Sequence, residues 1–140
     1  MIQIFIDAWN ERKNELEEYF KTTPMDKYDS YEDLVKLVFE KVVNPEMPID
    51  YLTYDIDRMT VIDDGHYRGT LLFLIPRKTY QPSVDEYIYT SVYYGTCSAC
   101  DTLQSITGYC YDGLPSEVQV ADYMILCLHL LENCNWLKGE

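Results

Sequence analysis

Two cysteines at a Cys-x-x-Cys spacing mark the place in this chain where chemistry could be concentrated. Cys97 and Cys100 lie in the stretch Tyr93 to Gln104, where a tyrosine-rich, β-branched run ends and a short helical pattern begins. A thiol just before a helix lies near the positive end of the helix dipole, which stabilises the thiolate and lowers its pKa. Thiol redox chemistry is one interpretation, although the 40 residues after Cys100 cannot complete a thioredoxin-like sheet.

Structural zinc is a second interpretation, because zinc takes four ligands in a tetrahedron. Cys97 and Cys100 could supply two ligands, and Cys110 lies a short loop away. The fourth ligand would come from the last helix, from Cys127, His129 or Cys134. In a third interpretation the cysteines are small buried side chains that close a tight strand-to-helix joint. We expect packing and no cofactor, with zinc at Cys97, Cys100 and Cys110 as the alternative.

Other catalytic patterns are missing from the sequence. His66 falls in a predicted hairpin turn, where we expect it to be exposed. His129 falls on an apolar helix, where we expect a core histidine. The chain has no phosphate-binding glycine loop, no Gly-x-Ser-x-Gly elbow and no His-Glu-x-x-His motif. We therefore expect a protein without catalytic activity.

The balance of charged residues limits the classes of partner that the protein can bind. The 140 residues include 11 Lys and Arg and 24 Asp and Glu, which gives a net charge of -13. Such a surface repels nucleic acid and anionic membranes and attracts basic protein surfaces. The length fits one domain over residues 1–140. With no signal-peptide pattern and an odd number of cysteines, we expect a cytoplasmic protein with reduced thiols.

Hydrophobic periodicity predicts helices at both ends of the chain. The first helix runs to about Phe20, and the second starts at Asp29, with Glu32 completing a capping box, and closes at Asn44 and Pro45. After the Cys-x-x-Cys motif a short helix stops at Gly108. The last helix starts near Ser116, forms a capping box with Gln119, and is apolar almost all round from Val118 to Leu131. We expect this last helix to lie buried on the sheet.

Between these helices the period changes to that of strands. Tyr51 to Ile62 and Tyr67 to Ile75 flank a two-residue hairpin signal, Asp64-Gly65. Pairing outward from this turn places Ile62 opposite Tyr67 and Thr60 opposite Gly69. A third strand runs from Tyr87 to Tyr94. The predicted fold is α+β, a three-stranded antiparallel meander packed with two N-terminal helices, a short helix after the Cys-x-x-Cys motif and a buried C-terminal helix.

Acidic and tyrosine side chains are the candidate interaction residues. Carboxylates crowd the first predicted hairpin strand, and no Lys or Arg occurs between Lys78 and Lys138. The third strand places its tyrosines on one face, and tyrosine suits an interface because it has an apolar ring and a polar hydroxyl. The candidates are Asp55, Asp57, Asp63, Asp64, Tyr87, Tyr89 and Tyr93.

The Cys-x-x-Cys stretch also carries a resemblance. Tyr94 to Leu103 reads Tyr-Gly-Thr-Cys-Ser-Ala-Cys-Asp-Thr-Leu and resembles the Tyr-Gly-Ser-Cys-Ser-Gly-Cys-Asp-x-Leu pattern of small uncharacterised bacteriophage and prophage proteins. Thr96 replaces the serine and Ala99 the second glycine. The resemblance implies a phage-type protein in the bacterial cytoplasm, and it brings no assigned activity.

Two functions from different classes follow. The leading hypothesis is an acidic, non-enzymatic binding protein that acts on a host or defence-system protein. It could act by nucleic-acid mimicry, as an anti-CRISPR-like inhibitor whose carboxylates stand where phosphates would lie. The alternative is a thiol- or zinc-centred protein that uses Cys97 and Cys100.

Overall fold

The structure is a computed structural model, and it describes residues 2–66, 68–96, 101–108 and 113–137. Over these ranges the chain is α+β, with four α-helices and one antiparallel sheet. The helices are α1 (Gln3–Thr22), α2 (Tyr31–Val38), α3 (Thr102–Thr107) and α4 (Glu117–Glu132). The strands are β1 (Thr60–Asp63), β2 (Gly69–Pro76), β3 (Tyr87–Tyr94) and β4 (Asn135–Trp136).

The sheet has four described strands, where three were predicted. They lie side by side in chain order, and each neighbouring pair is antiparallel. The additional strand, β4, pairs Trp136 with Ile88 and Asn135 with Tyr89. A two-residue strand has no alternating pattern that a sequence could show, which explains the error. β2 occupies the central position predicted for it, and β3 has the predicted bounds.

β1 pairs with β2 in a register that differs from the predicted one. The two-residue turn would place Ile62 opposite Tyr67, whereas Ile62 lies opposite Leu72. The predicted pairing of Thr60 with Gly69 is wrong in the same direction. The hairpin loop is therefore longer than the local sequence signal indicated.

Two aspartate side chains close this longer loop. Asp63 Oδ1 accepts the backbone N–H of Gly65 at 3.0 Å, and Asp64 Oδ1 accepts that of Thr70 at 2.6 Å. The Asp64 N–H also donates to the Thr70 carbonyl at 3.2 Å. Side-chain bonds of this kind replace the backbone bonds of a tight turn, and they account for the shifted register.

The predicted strand from Tyr51 begins only at Thr60. Short 3₁₀ turns occupy Asp50–Leu52 and Ile56–Arg58. Between them Tyr54 is buried, and the side-chain amide of Asn44 bonds its backbone N–H at 2.8 Å and its carbonyl at 3.0 Å. These bonds satisfy backbone groups that a strand would have paired.

The N-terminal helices form as predicted, apart from one cap. Ser30, and not Asp29, is the N-cap of α2, and its Oγ accepts the Asp33 N–H at 3.1 Å. After α2 the chain continues as a π-helical turn, Phe39–Val43, and a 3₁₀ turn, Asn44–Glu46. The predicted closure of the second helix at Asn44 and Pro45 thus falls within this 3₁₀ turn.

α4 is less buried than its sequence predicted. Its capping box between Ser116 and Gln119 is present. However, Val118 is 70% exposed and Ile125 is 53% exposed, so one side of the helix faces solvent. α4 packs mainly on α1 and α3 and less on the sheet, which corrects the expectation of a helix buried on the sheet.

The core lies between the helices and one face of the sheet. Phe73, Ile75 and Ile88 are fully buried there and belong to the same hydrophobic cluster as the helices. On the same face the Thr90 hydroxyl donates to the Leu130 carbonyl at 2.6 Å, which ties β3 to α4. We call this face of the sheet the inner face.

Candidate functional site

The opposite face of the sheet carries the tyrosines that the sequence singled out. Along β3 the side chains alternate, with Ile88 buried and Tyr87, Tyr89, Ser91 and Tyr93 turned away from the core. Tyr93 is 52% exposed, and Tyr87 and Tyr89 are half-buried. The tyrosines thus share one face, as strand alternation predicts.

β1 and β2 extend this tyrosine face with apolar side chains. Leu72 lies between Ile62 and Ser91 in the sheet, and Leu74 lies between Thr60 and Tyr89. Ile62 is 46% exposed. We call the whole surface the outer face, and its residues in β1, β2 and β3 are Thr60, Ile62, Thr70, Leu72, Leu74, Pro76, Tyr87, Tyr89, Ser91 and Tyr93.

Within the described ranges, the hydrophobic core does not extend to the leucines of the outer face. Leu71 and Val92, which point to the inner face, pack against the core. Leu72 and Leu74, their neighbours on the outer face, do not. Soluble proteins rarely leave contiguous apolar patches open unless the patch binds something. The outer face therefore presents apolar and aromatic side chains that the described core does not cover.

The four candidate aspartates lie at the two ends of β1. Asp55 and Asp57 belong to the turn before the strand, and Asp63 and Asp64 belong to its last residue and the loop that follows. Four residues of strand span about 13 Å, so the two pairs do not converge. Asp55 is already engaged, since it pairs with Arg58 at 2.7 Å and accepts the Asp57 N–H. The side chain of Asp63 lies on the inner face, since Asp63 pairs with Leu71, so the four carboxylates do not form a single charged site.

Asp63 has a second partner across the sheet. The Tyr94 hydroxyl reaches over β2 and donates to Asp63 Oδ1 at 2.5 Å. This bond, with the Gly65 N–H, lowers the pKa of Asp63 below its ordinary value. The same bond, more than desolvation, raises the pKa of Tyr94 to about 12. Asp63 is thus an ionised carboxylate at neutral pH that holds β1 to β3.

A cavity of about 400 Å³ opens on the inner face at the β1 end. Its apolar walls come from the sheet and α3, and its polar groups come from the start of α2, the end of β3, and α3 with its N-cap. Three carboxylates line it, and no Lys or Arg of the described chain does. The lining residues are Asp29, Ser30, Tyr31, Glu32, Val61, Leu71, Phe73, Tyr94, Gly95, Asp101, Leu103, Gln104 and Thr107.

Asp101 organises the back of this cavity. The carboxylate is 6% exposed. Its Oδ1 accepts the Tyr31 hydroxyl at 2.6 Å and the Gln104 N–H at 3.1 Å, and its Oδ2 accepts the Gly95 N–H at 2.9 Å. The Tyr31 oxygen in turn accepts the Leu103 N–H at 3.0 Å. Burial, more than this hydrogen bond, raises the pKa of Tyr31, so its hydroxyl stays protonated and keeps donating.

Sequence reasoning did not identify Asp101 and Tyr31 as a pair. A local signal existed for one of them, because Asp101 and Gln104 have the spacing of a helix N-cap and its third residue. Nothing local signals Tyr31, which lies 70 residues away in the chain. The pair fixes the joint between β3 and α3.

The predicted metal ligands Cys97, Cys100 and Cys110 lie outside the described residues. Cys127 and Cys134 are described, and both are buried free thiols. Burial raises the pKa of each thiol, the value for Cys134 reaching about 12. High pKa values keep thiols protonated and unreactive at neutral pH, which agrees with the packing role expected for these two.

The histidines are both exposed. This is the expected state for His66, whereas the expectation of a core histidine at His129 is wrong. His129 lies on the solvent side of α4, in a depression that it shares with Ser105 and Asp122. Within the described ranges, no group of three or more His, Cys, Asp or Glu side chains is arranged to hold a metal ion. The thiol- or zinc-centred alternative stays a prediction from the sequence.

Two further findings complete the description of this chain. None of its described helices is both long and apolar enough to cross a membrane. Comparison with known proteins gave no match, whether to a family model, to a curated protein or to a solved structure.

Proposed function

We propose that the chain is a small, acidic, non-enzymatic binding protein that docks its outer face on a basic surface of another protein. The observation that carries this proposal is the apolar and aromatic outer face, whose leucines Leu72 and Leu74 do not pack against the core. Ile62 and Tyr93 are about half exposed at two points on this face. Tyrosine is enriched at protein interfaces, where the ring contributes buried area and the hydroxyl finds a polar partner.

Charge supports a basic partner. The net charge of -13 attracts positive surfaces and speeds their approach. Beside the outer face, Asp57 is exposed at one end of β1 and Asp64 is exposed at the other. An apolar centre with charged groups at its edge is the usual arrangement of a protein interface.

We place this partner in the bacterial cytoplasm, as a host or defence-system protein, because the stretch around Tyr94 resembles phage-type proteins. In the finer form of the proposal, the protein acts as an anti-CRISPR-like inhibitor by nucleic-acid mimicry. Its carboxylates would then occupy a groove that otherwise binds phosphates. Exposed Asp57 and Asp64 are the groups best placed for this, since Asp55 is paired with Arg58.

Capture from bacterial lysate with matched variants tests the docking proposal. The face variant combines Ile62→Ala with Tyr93→Ala, and the control is Tyr80→Ala, which truncates a 92% exposed tyrosine outside the strands. A protein that binds the outer face is retained by wild type and control at low salt. Its retention falls at least about tenfold with the face variant, because central aromatic contacts carry most interface energy. Equal capture by the face variant contradicts the proposal.

Competition separates mimicry from docking alone. Duplex DNA competes for any basic surface through its phosphates, so heparin at the same charge concentration is the control. Release by DNA but not by heparin supports mimicry. Retention in excess DNA removes mimicry and leaves docking on a basic surface intact.

A further inference from the structure

β1 is an open edge of the sheet. It pairs with β2 on one side, and no described strand lies on its other side. All four of its residues are exposed, including Val61 at 37% and Ile62 at 46%. Proteins commonly guard such edges with lysine, proline or a covering segment. β1, which reads Thr-Val-Ile-Asp, contains neither lysine nor proline.

The backbone groups on this edge can be assigned from the register. The Asp64 N–H bonds the Thr70 carbonyl, so the pairs at 64, 62 and 60 exchange hydrogen bonds with β2. In an antiparallel ladder the residues between such pairs turn their N–H and C=O groups away. The N–H and C=O of Val61 and Asp63 therefore point to the open edge, where another strand can bind them.

We propose that an extended, basic segment of the protein partner adds to the sheet along β1. A strand added here would bond the free backbone groups of Val61 and Asp63, as in other cases of β-strand addition. Its side chains would alternate between the two faces of the sheet. Those on one side would lie beside Ile62 and continue the outer face.

The side chains on the other side would meet the cavity. A residue opposite Val61 in the added strand projects to the same face as Val61, and Val61 lines the cavity. A cavity of about 400 Å³ is within the range that holds a side chain or small ligand. Its walls at Val61, Leu71 and Phe73 suit an aliphatic stem.

The negative charge of the cavity favours a positively charged group at the end of the side chain that enters it. Asp29, Glu32 and Asp101 line the cavity. Glu32 is also paired with Lys36 at 3.2 Å, whereas no described ion pair involves Asp29 or Asp101. A guanidinium group is suited to such a site, because it binds carboxylates in a planar fork and stacks on aromatic rings such as Tyr31. The occupant is therefore an arginine side chain of the added strand.

This inference rests on the proposed function only in assuming that the partner is a protein, and it has a test that needs no natural partner. The probe is a ten-residue peptide that alternates arginine and valine. A peptide of the same sequence in which every backbone nitrogen is methylated has the same charge but lacks all backbone donors. A glutamate and valine peptide reverses the charge.

NMR titration of the protein with these peptides gives the readout. The arginine and valine peptide is expected to shift the Asp63 amide and the Leu71 methyl signals and to bind at least about tenfold more tightly than either control. Val61→Pro removes an edge donor but no bond to β2, a place where proline is tolerated. It is expected to weaken peptide binding about tenfold, whereas Val61→Ala, which keeps the N–H, changes binding less than about threefold.

A second variant tests the cavity without touching the strand. Asp29→Asn with Glu32→Gln is expected to weaken the arginine and valine peptide about tenfold and to leave an uncharged threonine and valine peptide unchanged. Equal binding of the N-methylated peptide, or no effect of Val61→Pro, overturns strand addition and indicates attraction by charge alone. Absence of any shift at millimolar peptide also overturns it. Since these outcomes do not involve Tyr93, they are distinct from failure of the outer face to capture a partner.

Discussion

The two faces of the sheet are built from the same strands and differ in what covers them. On the inner face Phe73, Ile75 and Ile88 are completely buried under the helices. On the outer face Ile62 and Tyr93 keep about half of their surface in solvent. Because successive residues of a strand point to opposite sides, β2 and β3 each contribute to both the core and the open surface.

The tyrosines, which are unusually numerous in this sequence, also fall into two groups, one on the helix side and one on the outer face. Tyr28, Tyr54 and Tyr123 are buried on the helix side. The rings of Tyr28 and Tyr123 pack edge to face there, with 5.1 Å between their centroids. Tyr89 and Tyr93 remain on the outer face. The same residue type thus serves as a core ring on one side and as an interface group on the other. The element that carries a tyrosine and the side that it faces, and not the residue type, decide which role it has.

The largest expected effect comes from truncating neighbouring residues of β2. Phe73→Ala removes a fully buried ring from the inner face and should lower the free energy of unfolding by about 3–5 kcal/mol. Leu74→Ala, one position along and half-buried on the outer face, should lower it by about 1 kcal/mol. Urea unfolding of both variants gives the two values, provided that the m-values stay the same.

Equal losses in the two variants would contradict the assignment of faces. They would mean that the outer face is covered as well as the inner one. A partner that docks on the outer face should reverse the ranking in a binding measurement, with Leu74→Ala the more harmful variant.

A smaller change in stability is expected when only the hydroxyl group of a buried tyrosine is removed and the ring is kept. The Tyr28 hydroxyl donates to the Thr23 carbonyl at 2.8 Å, and the Phe20 carbonyl is a second, more distant acceptor at 3.3 Å. The Tyr123 hydroxyl is buried without a hydrogen-bond partner in the described chain. Tyr28→Phe should cost about 1 kcal/mol of stability, whereas Tyr123→Phe should be neutral or stabilising by up to about 1 kcal/mol. Thermal unfolding of the pair checks this, and a loss with Tyr123→Phe would show that its hydroxyl is bonded after all.

Local signals predicted much of the fold. Alternation alone located β3 and its tyrosine face, and the spacing of Ser116 and Gln119 located the start of α4. Each of these signals lies within a few residues of the structure it specifies. The interaction role of the tyrosine face stays a prediction.

Features that depend on distant or side-chain contacts were beyond the sequence. The β1 register follows from hydrogen bonds of Asp63 and Asp64 side chains, which compete with the tight turn that Asp64-Gly65 indicates. The cavity depends on Asp101 meeting Tyr31 from a distant part of the chain. No periodicity encodes such a meeting, since it is fixed only when α2 and α3 pack on the sheet.

The smallest predicted effect comes from removing the hydrogen bond between Tyr94 and Asp63, which lies at the end of the sheet. Tyr94→Phe removes the main cause of the lowered pKa of Asp63, so this pKa should rise toward its ordinary value. The carboxyl carbon shift of Asp63 followed against pH measures the change, and Tyr93→Phe on the outer face is the matched control.

The stability consequence of Tyr94→Phe has a defined pH window. The pKa of Asp63 is lowered in the folded state, so the contribution of the bond is present above the unfolded pKa of about 4 and is lost as pH falls through the lowered value. The pKa of Tyr94 is raised to about 12, so the contribution is complete below the unfolded value of about 10 and is lost as pH rises through 12. The stability difference between wild type and Tyr94→Phe should therefore be constant between about pH 4 and 10 and shrink on both sides. A difference that does not depend on pH would mean that the two side chains are not bonded in solution, and β1 would then be held by β2 alone.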